Sequence, residues 1–184
     1  MPAAAQLRTL VLGGARSGKS GYAERIVDDG GPVRYVATAR HDPSDLDFES
    51  RIDAHRARRP HSWTLVESAD GDLATILGLT GPATLVDDIG TWLTAEIDDA
   101  DAWDRPRGTV EPRADALVAA IADYRGRLVL VSPEVGLGVI PETRSGRLFR
   151  DELGVLNQRI AAVCDEAVFV VAGLPLVLKT KGQP

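Results

Sequence analysis

One stretch near the start of the chain, Gly-Gly-Ala-Arg-Ser-Gly-Lys-Ser at positions 13–20, constrains the fold more than any other. It follows an apolar run at 7–12, typical of a strand, and precedes a segment of helical composition at 21–27. A glycine, four residues and then Gly-Lys-Ser between a strand and a helix form the phosphate-binding P-loop pattern. Glycines let backbone N–H groups converge on phosphate oxygens, and the helix presents its positive end to the same anion. The stretch predicts a nucleoside triphosphate site.

The P-loop also indicates which groups handle the phosphates and their metal ion. Lys19 is expected to reach the outer phosphates, and the Ser20 hydroxyl is expected to bind Mg2+. A carboxylate that follows a buried strand usually completes such a site. Asp87 and Asp88 follow the apolar run at 84–86. Asp87 is therefore predicted to join Ser20 at the magnesium, whereas Asp88 better suits the cap of the next helix.

Short apolar runs alternate with helical segments along the rest of the chain. Strands are predicted at 33–37, 63–66, 84–86, 128–131, 167–171 and 176–179. Helices are predicted at 48–58, 89–97, 114–124 and 143–164, with a further short helix that Asp72 caps and that ends near 77. The alternation predicts an α/β fold with a mostly parallel sheet and helices on both faces. The polar stretch 98–112 is expected to be a mobile surface loop.

Composition narrows the class of protein. The 184 residues fit a single domain spanning 1–184, and the formal charge of −6 argues against a general nucleic-acid binder. The one cysteine, Cys164, fits a reducing compartment and is expected to be a buried, inert thiol. No apolar run approaches the ~20 residues of a membrane span, and residues 1–6 lack a signal-peptide pattern. The expected location is the cytoplasm.

A second informative stretch is Arg-Ile-Asp-Ala-His-Arg-Ala-Arg-Arg-Pro at 51–60, where five of ten residues are arginine or histidine. On a helix, Arg51 and Arg58 would flank His55. One interpretation is a histidine at the edge of the core with solvated arginines. The other is a histidine among phosphate-binding cations, able to attack an α-phosphate and carry a nucleotidyl group as a phosphoramidate. Spacing alone leaves both open, and His41 and His61, in turn-like stretches, are weaker candidates.

Several motifs together resemble one enzyme family. They are the P-loop, Tyr-Val-Ala-Thr at 35–38, Arg-Ile-Asp-Ala-His at 51–55 with Arg-Pro at 59–60, Glu-Val-Gly-Leu-Gly-Val-Ile-Pro-Glu at 134–142, Phe-Arg-Asp at 149–151 and Asn-Gln-Arg at 157–159. In this order they resemble the bifunctional adenosylcobinamide kinase/adenosylcobinamide-phosphate guanylyltransferase family of cobalamin biosynthesis. The resemblance covers nearly the whole chain.

The resemblance implies a RecA-like P-loop NTPase fold and two reactions that use ATP or GTP with Mg2+. The first phosphorylates the aminopropanol hydroxyl of adenosylcobinamide. The second moves GMP from GTP onto a histidine, releases pyrophosphate and passes GMP to the cobinamide phosphate, giving adenosylcobinamide-GDP. By its position in the motif, that histidine is His55. The family also implies a homotrimer, and the implied partners are nucleotides and the corrinoid.

The resemblance also implies a set of nucleotide contacts. They fall on Gly13, Gly14, Ala15, Arg16, Ser17, Gly18, Lys19, Ser20, Ala37, Thr38, Ala39, Arg56, Ala57, Arg58, Arg59, Glu67 and Asp87. Two positions depart from the family pattern: Arg56 stands where members often carry lysine, and Asp87 where some carry glutamate. The base that receives the hydroxyl proton in the kinase step is open among Asp87, Asp88 and Glu67.

Two other hypotheses fit the same residues. The chain could be a simpler P-loop kinase or NTPase of a small molecule, with a structural His55. A nucleotide-gated module that binds nucleic acid through the arginine-rich helix is the third hypothesis, and the overall acidity counts against it.

Overall fold

The computed structural model describes residues 7–40, 60, 62–68, 72–79 and 81–182. Seven strands form one sheet: β1 Leu7–Gly13, β2 Val33–Ala37, β3 Trp63–Glu67, β4 Ala83–Asp87, β5 Arg127–Pro133, β6 Glu166–Val171 and β7 Leu174–Lys179. Their order is β3-β2-β4-β5-β1-β6-β7. The first six strands in this order run parallel, and β7 pairs antiparallel with β6. The prediction of a mostly parallel α/β sheet is confirmed.

Five helices connect the strands in the described part of the chain: α1 Lys19–Val27, α2 Leu73–Gly78, α3 Ile89–Asp99, α4 Glu111–Asp123 and α5 Arg144–Val163. Three of these helices have a side-chain cap at the N-terminus. The side chains of Asp72, Asp88 and Thr143 each accept a hydrogen bond from the backbone N–H three positions later, at Thr75, Thr91 and Gly146 respectively. The caps predicted at Asp72 and Asp88 are confirmed, and the predicted helix at 48–58 lies outside the described residues.

The sheet separates two apolar clusters. On one face, Ala23 and Val27 of α1 pack with strand residues that include Val11. On the other face, α2 to α5 pack against strand residues that include Leu10 and Leu130. Neighbours such as Leu10 and Val11 serve opposite faces because side chains alternate along a strand. Helices therefore cover both faces, and the predicted layering is confirmed.

The segment predicted as a mobile loop at 98–112 differs from expectation. Helix α3 continues to Asp99 and α4 already begins at Glu111, so the predicted boundaries are wrong. The Arg107 guanidinium donates to Asp151 at 2.6 Å, and the Gly108 N–H donates to Glu152 at 2.7 Å. Both acceptors lie on α5, 44 residues along the chain, so composition within the loop could not indicate that it is anchored.

Cys164 follows α5 directly and is 2% exposed. The predicted burial of this thiol is confirmed, and burial raises its pKa to about 12, which disfavours the reactive thiolate. None of the helices in the described ranges combines the length and the apolar character needed to cross a membrane.

Candidate active site

The P-loop connects β1 to α1, and two glycines shape its backbone. A Cβ atom at Gly13 would lie 2.8 Å from the Val170 carbonyl oxygen and would also meet the Ser17 hydroxyl, so no larger residue fits there without a backbone shift. Gly18, the residue that precedes α1, has φ +91°, in the left-handed region that favours glycine. No side chain caps α1. The Lys19 N–H, the first of this helix, makes a long hydrogen bond of 3.4 Å to the Ser17 hydroxyl. The N-terminus of the helix therefore suits an anion, as the P-loop pattern requires.

Ser20 and Asp87 meet at the mouth of this loop. The Ser20 hydroxyl donates to Asp87 Oδ1 at 3.3 Å, and the Tyr35 hydroxyl donates to Asp87 Oδ2 at 2.8 Å. Lys19 lies next to this pair, and its Nζ makes one long hydrogen bond, 3.4 Å, to the Gly14 carbonyl. The structure thus brings together Lys19, Ser20 and Asp87, which the sequence analysis placed at the phosphates and the magnesium.

The Ser20–Asp87 pair has the chemistry of a magnesium site. Mg2+ binds oxygen ligands, and proteins commonly hold it through one or two side chains together with substrate phosphates. Within the described ranges no group of three or more histidine, cysteine, aspartate or glutamate side chains forms a metal site. Two oxygen-bearing side chains beside a phosphate loop fit a metal that arrives with the nucleotide.

Strand register places the other predicted contacts along the same end of the sheet. Ala37 at the end of β2 pairs with Asp87 of β4 on one side and with Glu67 of β3 on the other. Thr38 follows, and its hydroxyl bonds the Asp88 carbonyl at 2.6 Å and the Thr91 hydroxyl at 2.5 Å. Thr38 is 1% exposed, so these hydrogen bonds are shielded from water, and they hold the start of α3 in place.

Of the remaining predicted site residues, three lie in the described part of the chain and the others lie outside it. Ala15 and Arg16 are exposed in the P-loop, and Arg16 has a left-handed backbone with φ +54°. Ala39 is half-buried after Thr38. Predicted residues outside the described ranges are His55, Arg56, Ala57, Arg58 and Arg59.

A family model described as CobU, "Cobinamide kinase / cobinamide phosphate guanyltransferase", matches residues 9–178. The chain belongs to this family. The family resemblance and the prediction of a transferase are therefore confirmed. The match begins within β1 and ends within β7, so it includes all five described helices, strands β2 to β6 and most of β1 and β7.

Curated relatives agree with the CobU family match. The chain is 42% identical over 183 residues to the "Bifunctional adenosylcobalamin biosynthesis protein CobP" of Pseudomonas aeruginosa, covering 97% of this chain and 99% of that protein. It is 35% identical over 180 residues to the "Bifunctional adenosylcobalamin biosynthesis protein CobU" of Escherichia coli, covering 92% and 98% of the two chains. The CobU protein of Salmonella typhimurium is 36% identical over 180 residues, with the same coverage.

Among solved structures, the fold matches an ATPase of a bacterial type III secretion system with a TM-score of 0.54 and 13% sequence identity. The match covers 93% of this chain and 56% of the ATPase chain. At this identity the likeness concerns the fold alone, and it confirms the predicted P-loop α/β architecture of this CobU family member.

The structure also shows supporting residues to which the sequence analysis gave no role. Beyond Tyr35, the Gly173 N–H donates to the Ser17 carbonyl at 2.8 Å, so the turn between β6 and β7 holds the P-loop from one side. On the other side, the Glu134 N–H donates to the Gly13 carbonyl at 3.0 Å. The only sequence signals were the turn-forming glycine and the family motif at 134–142, and neither indicates the partner.

Asn157 supports the P-loop from further away. Its side chain accepts from the buried Ser132 hydroxyl at 2.6 Å and donates to the Pro133 carbonyl at 3.1 Å. Pro133 pairs with Gly13 in the sheet, so Asn157 fixes the end of β5 beside the loop. The available signal was a polar residue among the apolar residues that α5 buries, next to Leu156 and three positions before Ile160.

Proposed function

We propose that this protein catalyses two successive transfers: it phosphorylates adenosylcobinamide and then attaches GMP to the phosphorylated product. Family membership supports the pair of reactions. The observation that carries the proposal is the 3.3 Å contact between Ser20 and Asp87, because it joins the two predicted magnesium ligands beside Lys19.

In the first transfer, the hydroxyl oxygen of the aminopropanol arm attacks the γ-phosphorus of the triphosphate. The bond from that phosphorus to the β–γ bridging oxygen breaks, and the nucleoside diphosphate leaves. Lys19 balances the negative charge on the phosphate oxygens, and the N-terminus of α1 adds to this stabilisation. Mg2+ bound by Ser20 and Asp87 would neutralise further phosphate charge.

The hydroxyl proton needs an acceptor, and the contacts of the three candidate carboxylates support one of them over the other two. Asp88 is engaged as the cap of α3, where it accepts the Thr91 N–H at 2.8 Å. Glu67 ends β3, two strands beyond β4 in the sheet. Asp87 is the candidate in contact with the P-loop helix, through Ser20. We infer that Asp87 is the best placed of the three to receive the proton.

In the second transfer, a nitrogen of His55 attacks the α-phosphorus of GTP, and the bond to the α–β bridging oxygen breaks. Pyrophosphate leaves, and GMP stays on His55 through a P–N bond. A phosphate oxygen of the cobinamide phosphate then attacks the same phosphorus, and breakage of the P–N bond restores the histidine. The arginines on both sides of His55 in the sequence would balance the triphosphate charge and favour the neutral, nucleophilic imidazole.

Covalent labelling tests this function directly. The protein is incubated with GTP labelled at the α-phosphate or, separately, at the γ-phosphate, and protein-bound label is measured. We expect label from the α position alone, labile to acid and stable to alkali, and released when cobinamide phosphate is added. The His55→Ala variant should retain no label, whereas the control variant His61→Ala should label as wild type does.

Two outcomes contradict the proposal. Full labelling of the His55→Ala variant would remove His55 from the reaction. If no α-label is bound and the His55→Ala variant still transfers the γ-phosphate, the chain is a simple P-loop kinase with a structural His55.

A further inference from the structure

Tyr35 contacts the proposed magnesium pair, although it belongs neither to the P-loop nor to the predicted set of nucleotide contacts. It lies in the middle of β2 and is 4% exposed, and its hydroxyl donates to Asp87 Oδ2 at 2.8 Å. The other carboxylate oxygen, Oδ1, accepts the Ser20 hydroxyl at 3.3 Å. The two oxygens of Asp87 are thus held from two sides, by a strand residue and by a helix residue.

The register of the sheet explains why Tyr35 reaches Asp87. Tyr35 pairs with Leu85 across β2 and β4, and Asp87 stands two positions after Leu85. Because side chains alternate along a strand, Tyr35 and Asp87 point to the same face of the sheet. Helix α1 covers this face, and Ser20 lies in its first turn. The tyrosine, the carboxylate and the serine therefore meet between the sheet and the P-loop helix.

The aromatic ring of Tyr35 is itself fixed in position. It stacks on the Trp63 ring of β3, with the ring centroids 6.4 Å apart and an angle of 26° between the planes. It also belongs to the apolar cluster on this face, which includes Val33 and Leu85. A ring held in this way presents its hydroxyl at one place, so the hydrogen bond limits how far the Asp87 carboxylate can turn.

The orientation of a carboxylate matters to Mg2+, which demands nearly ideal octahedral geometry. Groups that hydrogen-bond a metal-binding side chain orient it, and their loss typically lowers metal affinity about 10- to 100-fold. Tyr35 stands in this relation to Asp87, because it holds Oδ2 while Oδ1 faces Ser20, the other predicted ligand.

We propose that Tyr35 is a positioning residue of the metal site: its hydroxyl fixes the Asp87 carboxylate in the orientation that binds Mg2+ together with Ser20. This inference rests on the proposed function, which places the magnesium of the nucleotide at Ser20 and Asp87. Tyr35 acts through Asp87. Loss of its hydroxyl therefore raises the Mg2+ concentration that nucleotide binding needs and leaves metal-free nucleotide binding unchanged.

The test is Tyr35→Phe, which removes the hydroxyl and keeps the ring. Binding of the α,β-methylene analogue of GTP is measured by equilibrium dialysis over a range of Mg2+ concentrations and again in EDTA. The analogue has carbon at the bridge that the second transfer breaks, so no GMP is transferred during the measurement. We expect the Mg2+ concentration for half-maximal binding to rise about tenfold or more. The affinity in EDTA should stay within about twofold of wild type.

The matched control is Tyr124→Phe, which deletes the same group from a buried tyrosine at the amino end of the sheet. Tyr124 is 5% exposed, and its hydroxyl donates to the Thr84 hydroxyl at 2.8 Å, the same length as the bond from Tyr35 to Asp87. Both variants are expected to lose some stability in urea, because each loses a buried hydrogen bond. Tyr124→Phe should leave the Mg2+ requirement within about twofold of wild type, since its hydroxyl serves the other end of the sheet.

A second comparison asks whether Tyr35 acts through Asp87. In the Asp87→Ala background, Tyr35→Phe should cause no further change in the Mg2+ requirement, because the carboxylate that the hydroxyl holds is gone. If Tyr35→Phe had the same effect in both backgrounds, its hydroxyl would influence the metal site by another route, and the inference would be wrong.

Three further results would overturn the inference. An unchanged Mg2+ requirement in Tyr35→Phe would show that the hydroxyl does not orient Asp87 for the metal. An equal loss of affinity with and without Mg2+ would show that Tyr35 supports the P-loop as a whole. Both results leave the proposed function standing. If analogue binding by wild type did not depend on Mg2+, the metal site itself would be wrong, and covalent label and phosphorylation of cobinamide would decide the proposed function separately.

Discussion

The two ends of the sheet carry similar polar side chains that are bonded in different ways. At the amino ends of the strands, the Arg34 guanidinium is 8% exposed and donates to the Thr84 hydroxyl at 3.1 Å, to the Leu79 carbonyl at 3.2 Å and to the Tyr124 hydroxyl at 3.5 Å. At the carboxyl ends, Lys19 makes one long hydrogen bond to its own loop. Arg34 thus makes three hydrogen bonds to protein groups, whereas Lys19 makes a single long one among the residues that the structure describes.

This difference separates stability from function within one fold. Buried polar groups stabilise a protein when their hydrogen bonds are complete, and removing one partner costs free energy because the other is left unsatisfied. Groups that serve a ligand must keep donors and acceptors in reserve, as ligands of open α/β sheets bind at the carboxyl ends of the strands. Changes at the amino end should therefore lower stability, and changes at the carboxyl end should lower activity.

The largest expected effect is the loss of activity in Lys19→Met. The variant removes the ammonium group that balances phosphate charge, so kcat/KM for phosphorylation of cobinamide should fall about 10²- to 10³-fold. The free energy of unfolding should change by less than about 0.5 kcal/mol, because the hydrogen bond that Lys19 makes within the described part of the chain is a long one. Steady-state kinetics and urea unfolding measure the two effects. If Lys19→Met lowered the free energy of unfolding by as much as it lowers transition-state stabilisation, the contrast between the two ends of the sheet would not hold.

The next largest effect is expected at the amino end, from Arg34→Met. Methionine keeps much of the side-chain length and removes the three hydrogen bonds that Arg34 donates, so the free energy of unfolding should fall by about 2–3 kcal/mol. Urea unfolding measures this value, and kcat/KM of the folded enzyme should match wild type. The control is Arg125→Met, since Arg125 is exposed near the same end and should cost less than about 0.5 kcal/mol. If both variants lost the same free energy of unfolding, the hydrogen bonds of buried Arg34 would contribute no more to stability than an exposed arginine does.

The sequence predicted well those features that depend on neighbouring residues. The P-loop, the strands around it and the caps at Asp72 and Asp88 are local patterns, and the structure has each of them. Helix caps are readable because the capping side chain bonds an N–H group only two or three residues ahead. The same locality explains why the magnesium pair could be proposed from a strand that ends in aspartate.

Contacts between distant positions could not be predicted in the same way. Tyr35 reaches Asp87 across 52 residues, and Gly173 supports Ser17 from the last hairpin. These contacts follow from strand order, which places β2 beside β4 and β6 beside β1. The alternation of strands and helices predicts a parallel sheet without giving that order. The role of His55 stays a prediction, since it lies outside the described residues, and so do the trimer and the cytoplasmic location.

A third prediction concerns pH at the amino end, where Arg8 Nε donates to Asp165 at 3.0 Å and both side chains are largely buried. The hydrogen bond from Arg8 holds the pKa of Asp165 below its ordinary value. A lowered pKa in the folded state stabilises the protein above the unfolded pKa of about 4, and that contribution disappears as pH falls through the folded value. Asp165→Asn should therefore cost about 1–2 kcal/mol at pH 7 and progressively less below about pH 4.

Urea unfolding of wild type and Asp165→Asn at pH 7, 5 and 3 measures this dependence. Asp115→Asn is the control, because Asp115 pairs with Arg159 on the surface with 59% of its side chain exposed. An exposed pair contributes about 0–1 kcal/mol. A difference between wild type and Asp165→Asn that stayed constant down to pH 3 would mean that the charge of Asp165 is not what stabilises the fold.

The smallest effect is expected at Lys179. This lysine is compared with Lys19 because the two are expected to serve different purposes, one structural and one catalytic. Lys179 Nζ donates to the Ala161 carbonyl at 3.0 Å and to the Ala162 carbonyl at 3.2 Å, where α5 ends. A cation there satisfies carbonyls without helical partners and interacts favourably with the helix dipole. Lys179→Met should lower the free energy of unfolding by about 0.5–1 kcal/mol and leave kcat/KM unchanged. The same kinetic and urea measurements as for Lys19→Met apply. Lys179, which bonds two helix carbonyls, would then stabilise the protein, and Lys19, which lies in the P-loop, would act on the substrate. A loss of activity in Lys179→Met would contradict this division.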